Sequence, residues 1–327
     1  MTSDVGEPPT SSSAGKQSGD LLADFLNGIS RGQSRDVNTY FHQVGDPSLL
    51  DGTKTTCHTH WLRSDPNGRP RLDVLVGRLA NHVLEYCIPR ARIAEATDEL
   101  NATKSPYKLM QLQDEARSLF SSIENSGEGG ELLLYFLLEW GLGIPQILCK
   151  MPHKTNSSLM INGVDGVHAK ALENGNIAVY WGESKVYDDF ASAVSNCFAS
   201  IEPYLNDSGG GPLARDLLLA RDNLDTGERE MTLQMAKYFT RDEPESARLE
   251  VRGACLVAFT QSPFEAPVEA DEAIKAAVIG QVDKWKKSIS KKVVNKHIES
   301  FHIEFFCLPI PSGSGFRDSF AKAMGLK

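Results

Sequence analysis

The chain lacks several features that would place it in a common class of protein. Its six cysteines stand singly, and no Cys-x-x-Cys pair occurs. This usage argues against a disulfide framework and favours a reduced, cytoplasmic setting. The first residues lack the basic and apolar regions of a signal peptide, so we expect none. The most apolar stretch, 132–149, is interrupted by Glu139, Gly141, Gly143 and Pro145, which predicts a buried helix and strand rather than a membrane span.

Signatures of other chemistries are also missing. No Gly-x-Ser-x-Gly elbow of a serine hydrolase occurs, and no Gly-Lys-Ser/Thr follows the three glycines at 209–211, which are expected to form a connector. Cys57, His58 and His60 resemble part of a zinc site. In a strand, however, the two histidines would share one face while Cys57 points away, and no fourth ligand is evident. We therefore expect structural side chains there.

Positive charge is in deficit, since 43 acidic residues against 34 basic ones give a net charge of −9. This balance counts against autonomous, high-affinity DNA binding, which depends on neutralising phosphates. It leaves open a protein that a partner delivers to DNA. One basic cluster stands out at 284–296, where Lys284, Lys287 and Lys291 fall on one helical face. Both a phosphate-tracking surface and a solvated helix face fit this pattern.

The length of 327 residues suffices for one large domain or two small ones with a sizeable core. Residues 1–19 are rich in Ser, Gly and Pro and are expected to be disordered. We expect an N-terminal α+β subdomain over 20–125 and the functional core over 126–327. Strands interleaved with helices indicate an α/β layered core.

Periodicity and turn residues predict the secondary elements. Helices are predicted at 21–29 (with Asp20 as N-cap), 72–86, 105–123, 131–140, 188–205, 213–238 (with a break at 225–227) and 270–297. Strands are predicted at 56–62, 144–150, 161–167, 178–185, 252–259 and 300–308.

An acid and an acid–base triplet lie on two neighbouring apolar segments. Asp165 is in the first segment, and Glu183-Ser184-Lys185 ends the second. An Asn-Gly pair between them, at 174–175, predicts a β-hairpin. Period-two alternation then places Glu183 and Lys185 on the same face of the second strand.

The register of this hairpin decides whether Asp165 joins that face. A two-residue turn at 174–175 would pair Asp165 with Ser184 and turn the Asp away. A three-residue loop, 173–175, pairs Asp165 with Glu183 instead, with Gly175 supplying the positive φ at little steric cost. A bulge at Gly163 or Gly166 would also correct the register. We predict the three-residue loop or a bulge.

Two acids and a lysine on one sheet face are typical of a metal-dependent nuclease. Close carboxylates repel each other unless a cation lies between them, and Mg²⁺ prefers such oxygens while keeping waters for a phosphate. The ion would activate a water, and Lys185 would stabilise developing charge or help to deprotonate that water. The carbonyl of Ser184 is a further candidate ligand. Against this, about one Glu-x-Lys triplet is expected by chance in such a chain, and an exposed pair is usually a solvated face.

With these residues the chain resembles the PD-(D/E)XK nuclease superfamily, in which an Asp on one strand precedes Glu-x-Lys on the next, behind a helix with a further Glu. More narrowly, segments 130–139, 163–168 and 181–187 resemble the HamA/AbpA-like nuclease subunits of the Hachiman anti-phage defence system in order and spacing. The resemblance extends from about Thr56 to the C-terminus.

The resemblance implies a PD-(D/E)XK-type core with a mixed central sheet flanked by helices. It implies a DNA endonuclease that hydrolyses phosphodiesters beside a HamB-like helicase, with Mg²⁺ or alternatively Mn²⁺. Asp165 and Glu183 would bind the metal, Lys185 would be the catalytic lysine, and Glu131 would complete the metal shell.

Two departures and one alternative remain. Glu128 is an alternative to Glu131 as the helix acid that completes the metal shell. The helix dipole by itself also favours an acid in the first turn. The stretch 188–201 has no Gln for the Gln-x-x-x-Tyr motif of many related nucleases, so its DNA contacts are unassigned. The alternative function is a non-catalytic, nuclease-fold subunit that docks on and regulates a helicase.

Overall fold

A computed structural model describes residues 18–31, 37–120, 127–149, 165–207, 211–261 and 270–326. The predicted disordered tail, apart from Ser18 and Gly19, lies outside these ranges, and so does the part of the first hairpin strand at 161–164. The described helices include none that is both long and apolar enough to cross a membrane.

The described chain contains an eight-stranded mixed sheet with the order β1-β3-β8-β7-β6-β5-β4, and β2 pairs with β3. β3, β8, β7 and β6 are parallel, whereas β1 and β2 at one edge and β5 and β4 at the other are antiparallel. The strands are β1 Phe41–Gln43, β2 Ser48–Leu49, β3 Thr55–Leu62, β4 Gln146–Leu148, β5 Gly166–Ala171, β6 Ile177–Tyr187, β7 Leu249–Thr260 and β8 Ile303–Ile310.

Helices flank both faces of this sheet. They are α1 Ser18–Gly28, α2 Leu72–Asn81, α3 Val83–Cys87, α4 Arg90–Thr103, α5 Tyr107–Ser118, α6 Glu128–Phe136, α7 Phe190–Leu205, α8 Pro212–Asp222, α9 Arg229–Tyr238, α10 Ala270–Asn295 and α11 Gly313–Met324. A π-helical turn, Leu137–Gly141, continues α6, and a 3₁₀ turn, Pro244–Arg248, precedes β7. The predicted mixed sheet with flanking helices is confirmed.

The core lies where the central strands are covered on both sides. Most residues of β6, β7 and β8 are buried, as expected for parallel strands between two helical layers. Alternate residues of β6 face different helices. A Cβ added to Gly130 of α6 would lie 3.0 Å from Ser184 Oγ, whereas the Trp181 ring stacks on Tyr204 of α7 with the ring centroids 5.8 Å apart. Glycine at 130 therefore lets α6 approach β6 closely.

Several sequence predictions differ from the structure in their limits. α1 begins at Ser18, so Asp20 lies inside the helix and its assignment as N-cap is wrong. The helix predicted at 72–86 is divided at His82 into α2 and α3. α4 was not predicted, because it buries only Ala96 and has almost no apolar face. The break predicted near 225–227 is confirmed between α8 and α9.

The first three strands come from the segment before residue 126, and β3 pairs directly with β8 from the C-terminal part of the chain. Residues on both sides of the predicted boundary thus contribute to one sheet. The division into an N-terminal subdomain and a core domain stays a prediction.

A buried carboxylate connects three separate segments next to the sheet. Glu139 is fully buried and accepts hydrogen bonds from Arg90 Nη2 at 2.8 Å, the Gln146 amide at 3.1 Å and the Arg31 amide at 3.3 Å. These donors stand after α1, at the start of α4 and at the start of β4. A desolvated charge is tolerated only when it is paired and hydrogen-bonded, so Glu139 holds these elements together.

We expect Glu139→Ala to lower the free energy of unfolding by about 3–5 kcal/mol, because it leaves Arg90 as an uncompensated, largely buried charge. Glu115→Ala is the matched control, since Glu115 pairs with Arg92 at 2.6 Å on the exposed surface and should lose at most about 1 kcal/mol. Urea unfolding measures both values. Equal losses in the two variants would contradict the stabilising role of the buried network.

Candidate functional site

The predicted three-residue hairpin loop is confirmed. β5 and β6 pair from Gly166 opposite Gly182 to Ala171 opposite Ile177, and the Leu172 amide donates to the Asn176 carbonyl at 2.8 Å. This leaves residues 173–175 as the loop, with Gly175 at φ +79°. A residue with a side chain would be strained in that left-handed conformation, so glycine fixes the register here.

The strand departs from this register at Asp165. Continuing the ladder would place Asp165 opposite Glu183, but the Asp165 amide donates to the Gly182 carbonyl at 2.6 Å instead. Asp165 Oδ2 accepts hydrogen bonds from the Ser184 amide and the Ser184 hydroxyl, both at 2.6 Å. The predicted regular pairing of Asp165 with Glu183 is therefore replaced by a local irregularity of the bulge type, which turns the carboxylate onto Ser184.

Glu183 and Lys185 form the centre of the site. The Glu183 residue is only 4% exposed, and the Lys185 ammonium donates a hydrogen bond to Glu183 Oε1. Burial by itself would lower the pKa of Lys185, but the charges of Glu183 and Asp165 outweigh burial and raise that pKa above its usual value of 10.5. Asp165, Glu183 and Lys185 are therefore close enough for their charges to interact, although the Asp165 carboxylate is turned onto Ser184 rather than placed opposite Glu183 as predicted.

The helix acids approach from the other side of the sheet. Glu128 and Glu131 lie in the first turn of α6 and are 8% and 9% exposed. The Tyr86 hydroxyl lies 3.1 Å from both Glu131 Oε2 and the Asp165 carbonyl, and it can donate to either. Burial and the charges of Glu131 and Asp165 raise the pKa of Tyr86 well above 10, so it remains a donor. Tyr86 thereby connects Glu131 to Asp165.

A cleft with a volume of about 620 Å³ opens beside this cluster, at the C-terminal end of β6. Its wall includes Lys185 and a second cation, Arg317 of α11. The other lining residues are Gly127, Ser184, Val186, Tyr187, Asp188, Asp189 and Ser192. A phosphate group entering the cleft would therefore meet two positive side chains.

The oxygen donors suit a hard cation such as Mg²⁺ in their chemistry, because Asp165, Glu183 and Glu131 are carboxylates. Their arrangement is that of a charge-paired site. Glu183 is bound by Lys185, Asp165 is bound by Ser184, and no three acidic, His or Cys side chains of the described ranges are already grouped around a common point. Holding a divalent ion would require Lys185 to release Glu183.

The predicted basic surface is on a different part of the molecule. Lys284, Lys287 and Lys291 are all exposed on α10, opposite the buried stripe Val278, Val282, Trp285, Ile289 and Val293. Two of these lysines line a cleft of about 410 Å³ against residues 48–51. That cleft shares no lining residue with the one beside Lys185. Their role in DNA binding stays a prediction.

His58 and His60, considered above as part of a zinc site, and a third buried histidine, His168, all lie in protein surroundings. His58 Nε2 lies 2.6 Å from Glu304 Oε2, and burial together with the neighbouring His58 lowers the pKa of His60 to about 4. His168 Nδ1 lies 2.9 Å from the Ile144 carbonyl. These contacts agree with structural roles for all three side chains.

Sequence reasoning missed two members of the site, Tyr86 and Arg317. Tyr86 is the last residue of the helix predicted at 72–86, and no sequence signal marks its hydroxyl. Arg317 lies on α11, which was not predicted although its signals were present. Ser312 is the N-cap, with its hydroxyl accepting from the Gly315 amide, and Phe316, Phe320 and Met324 form a buried stripe at helical spacing.

We expect Glu183→Gln to lower the pKa of Lys185, because burial would then act with less opposing charge. In the wild type the pKa of Lys185 is raised in the folded state. The stability that the pairing with Glu183 contributes is therefore fully present below pH 10.5 and is lost as the pH rises through the folded-state pKa. NMR titration of the lysine side chain measures the pKa. Glu202→Gln, which removes a surface partner 3.5 Å from Lys296, is the control. An unchanged or higher Lys185 pKa in Glu183→Gln would contradict the pairing.

Comparison with known proteins bears on this arrangement. A family model described as HamA matches residues 38–324, which include the hairpin, α6 and the whole cleft. Among proteins with curated descriptions, none matches the chain. The match covers far more than half of the sequence and confirms the narrower resemblance seen in the hairpin and helix motifs. The chain therefore belongs to the HamA family of Hachiman anti-phage defence.

Proposed function

We propose that this protein is a metal-dependent DNA endonuclease and the effector subunit of its defence system, acting with a partner helicase. Membership of the HamA family indicates a defence effector. The observation that carries the nuclease proposal is the convergence of Asp165, Glu183 and Lys185 at the end of β6, beside an open cleft. Phosphodiester hydrolysis needs this combination of acids, a cation and space for a phosphate.

Glu183 and Asp165 would hold the ion, with the Ser184 carbonyl and Glu131 as further oxygen ligands. Bound Mg²⁺, or Mn²⁺, would supply an activated water and neutralise phosphate charge. Lys185 would then face the phosphate and stabilise the negative charge that develops on it. Deprotonation of the water is the alternative role for Lys185.

Glu131 is the better candidate than Glu128 for the helix acid. Its carboxylate contacts the Tyr86 hydroxyl, which also reaches the backbone of Asp165. A hydrogen-bonded neighbour of this kind orients a metal ligand and sets its basicity. Through Tyr86 this contact connects α6 to the hairpin, even though α6 packs on the sheet face opposite to the one that carries the Glu183 side chain.

The alternative, a non-catalytic subunit that regulates a helicase, also has an observation in its favour. Glu183 is charge-paired with Lys185 and Asp165 is hydrogen-bonded by Ser184, so the acids are not grouped as a ligand set, and the net charge of −9 favours dependence on a partner. Cleavage assays separate the two functions. A stable complex with the helicase that never cuts DNA would support the regulatory role.

We expect Glu183→Gln and Lys185→Gln each to reduce plasmid cleavage at least ~100-fold in Mg²⁺ with the partner present, a loss of ~2.7 kcal/mol of barrier stabilisation. EDTA should abolish wild-type cleavage. The matched control is Glu250→Gln, since Glu250 pairs with Arg252 two residues along β7 in the same Glu-x-cation pattern, 2.9 Å apart and outside the cleft. Wild-type cleavage by both site variants would refute the assignment.

We expect Glu131→Gln to impair cleavage more than Glu128→Gln, because Glu131 is connected to Asp165 through Tyr86. Tyr86→Phe keeps the ring in the core and removes the hydroxyl, so it should raise the Mg²⁺ concentration for half-maximal rate by ~10-fold. Rates measured across a Mg²⁺ series test both expectations. A greater loss in Glu128→Gln than in Glu131→Gln would reverse the assignment of the helix acid.

A further inference from the structure

Arg317 is held at the mouth of the cleft by the strand that carries Lys185. Its Nη1 donates to the Val186 carbonyl at 2.7 Å, and Val186 directly follows Lys185 on β6. A guanidinium carries five N–H donors in a planar fork, so one bond to a carbonyl leaves donors for a second acceptor. The same residue lines the cleft together with Lys185 and Ser192.

A close backbone contact determines where α11 places this side chain. A Cβ added to Gly313 would lie 2.8 Å from the Tyr187 carbonyl oxygen, closer than real Cβ atoms approach. Glycine therefore allows α11 to begin directly against the end of β6. The Gly313 amide also lies 3.1 Å from Asp188 Oδ1. Arg317 is four residues further along and shares this helix face, so the contact positions its guanidinium at the cleft.

The acids of the cleft wall are held by other donors. Asp188 Oδ1 accepts from the Thr260 hydroxyl at 2.5 Å as well as from Gly313, and Asp189 caps α7 by accepting from the Ser192 amide at 2.8 Å. The charge of Arg317 also acts on Asp188, but it is not the largest influence on that carboxyl. The hydrogen bonds of these acids thus account for their positions without a direct ion pair to Arg317.

We propose that Arg317 binds a backbone phosphate of the nucleic acid in this cleft, next to the phosphate that faces Lys185. The inference rests on the proposed nuclease function and adds a substrate-binding residue to it. Arginine is suited to this task, because its fork matches two phosphate oxygens at once. In a chain with a net charge of −9, a local pair of cations would supply phosphate contacts that the rest of the surface does not favour.

The test is equilibrium binding of a fluorescently labelled duplex oligonucleotide to the full chain in EDTA, over a series of NaCl concentrations. We expect Arg317→Gln to weaken binding ~10-fold, and to reduce the slope of log affinity against log salt by ~0.9, the loss of one phosphate contact. Arg317→Lys keeps one charge, so it should retain the slope with intermediate affinity. Thermal melting of each variant reports whether the fold is intact.

The matched control is Arg63→Gln. Arg63 is half-buried and donates through Nε to the Asn38 carbonyl at 2.7 Å, so its loss also removes a side-chain bond to the backbone, away from the cleft. We expect this variant to bind DNA like the wild type. The salt slope separates the two kinds of role, because a purely structural defect does not remove a counterion-releasing contact.

Two results would overturn the inference. One is wild-type affinity and slope in Arg317→Gln. The other is an equal loss of affinity in Arg317→Gln, Arg317→Lys and Arg63→Gln with no change of slope. If the wild type binds and cuts DNA while Arg317→Gln does the same, only the assignment of Arg317 fails. If the wild type neither binds nor cuts DNA with its partner present, the nuclease proposal fails and this inference fails with it.

Discussion

A buried carboxylate beside a lysine is the interaction around which the site is arranged. Glu183 lies on a central strand, between β5 and β7, where water has almost no access. An ionised carboxylate in such a position needs a cation, since its desolvation would otherwise raise its free energy by several kcal/mol. Lys185 supplies that cation from the same strand face. In the proposed nuclease a divalent ion would take the place of this cation.

Small residues allow the elements around this pair to approach one another. A Cβ added to Gly182 would lie 3.1 Å from Leu134 of α6, and one added to Gly130 would lie 2.9 Å from Val186. With α6 this close, Tyr86 can reach both Glu131 and the backbone of Asp165. The irregular start of β5 then directs the Asp165 carboxylate to Ser184. Glu131 and Asp165 are thereby connected through Tyr86 near the end of β6, where the ladder with β5 is ending.

Charge is distributed so that cations concentrate at particular places on an acidic protein. Lys185 and Arg317 share one cleft, and the α10 lysines line another, while the chain as a whole is negative. Long-range attraction between such a protein and DNA is weak, so the proposed nuclease would depend on a partner to supply the DNA.

The sequence by itself determined what depends on near neighbours in the chain. The Asn-Gly pair and the period-two alternation were enough to predict the hairpin and the shared face of Glu183 and Lys185. The three-residue loop, or alternatively a bulge, was predicted because the proposed site required it and Gly175 could adopt the positive φ. The strands of the central sheet were also recognisable, because parallel strands buried on both faces consist of apolar runs. α4 was not predicted, because it is only weakly amphipathic and buries a single residue, Ala96.

Only the tertiary structure decided the contacts between residues distant in the sequence. Tyr86 reaches Asp165 across 79 residues, and Arg317 reaches Val186 across 131 residues. Neither contact produces a periodic pattern in the sequence, because each depends on how whole helices pack on the sheet. The turn of Asp165 onto Ser184 likewise follows from its place at the end of a ladder. Local propensity sets the elements, whereas close packing between them sets which polar groups can meet.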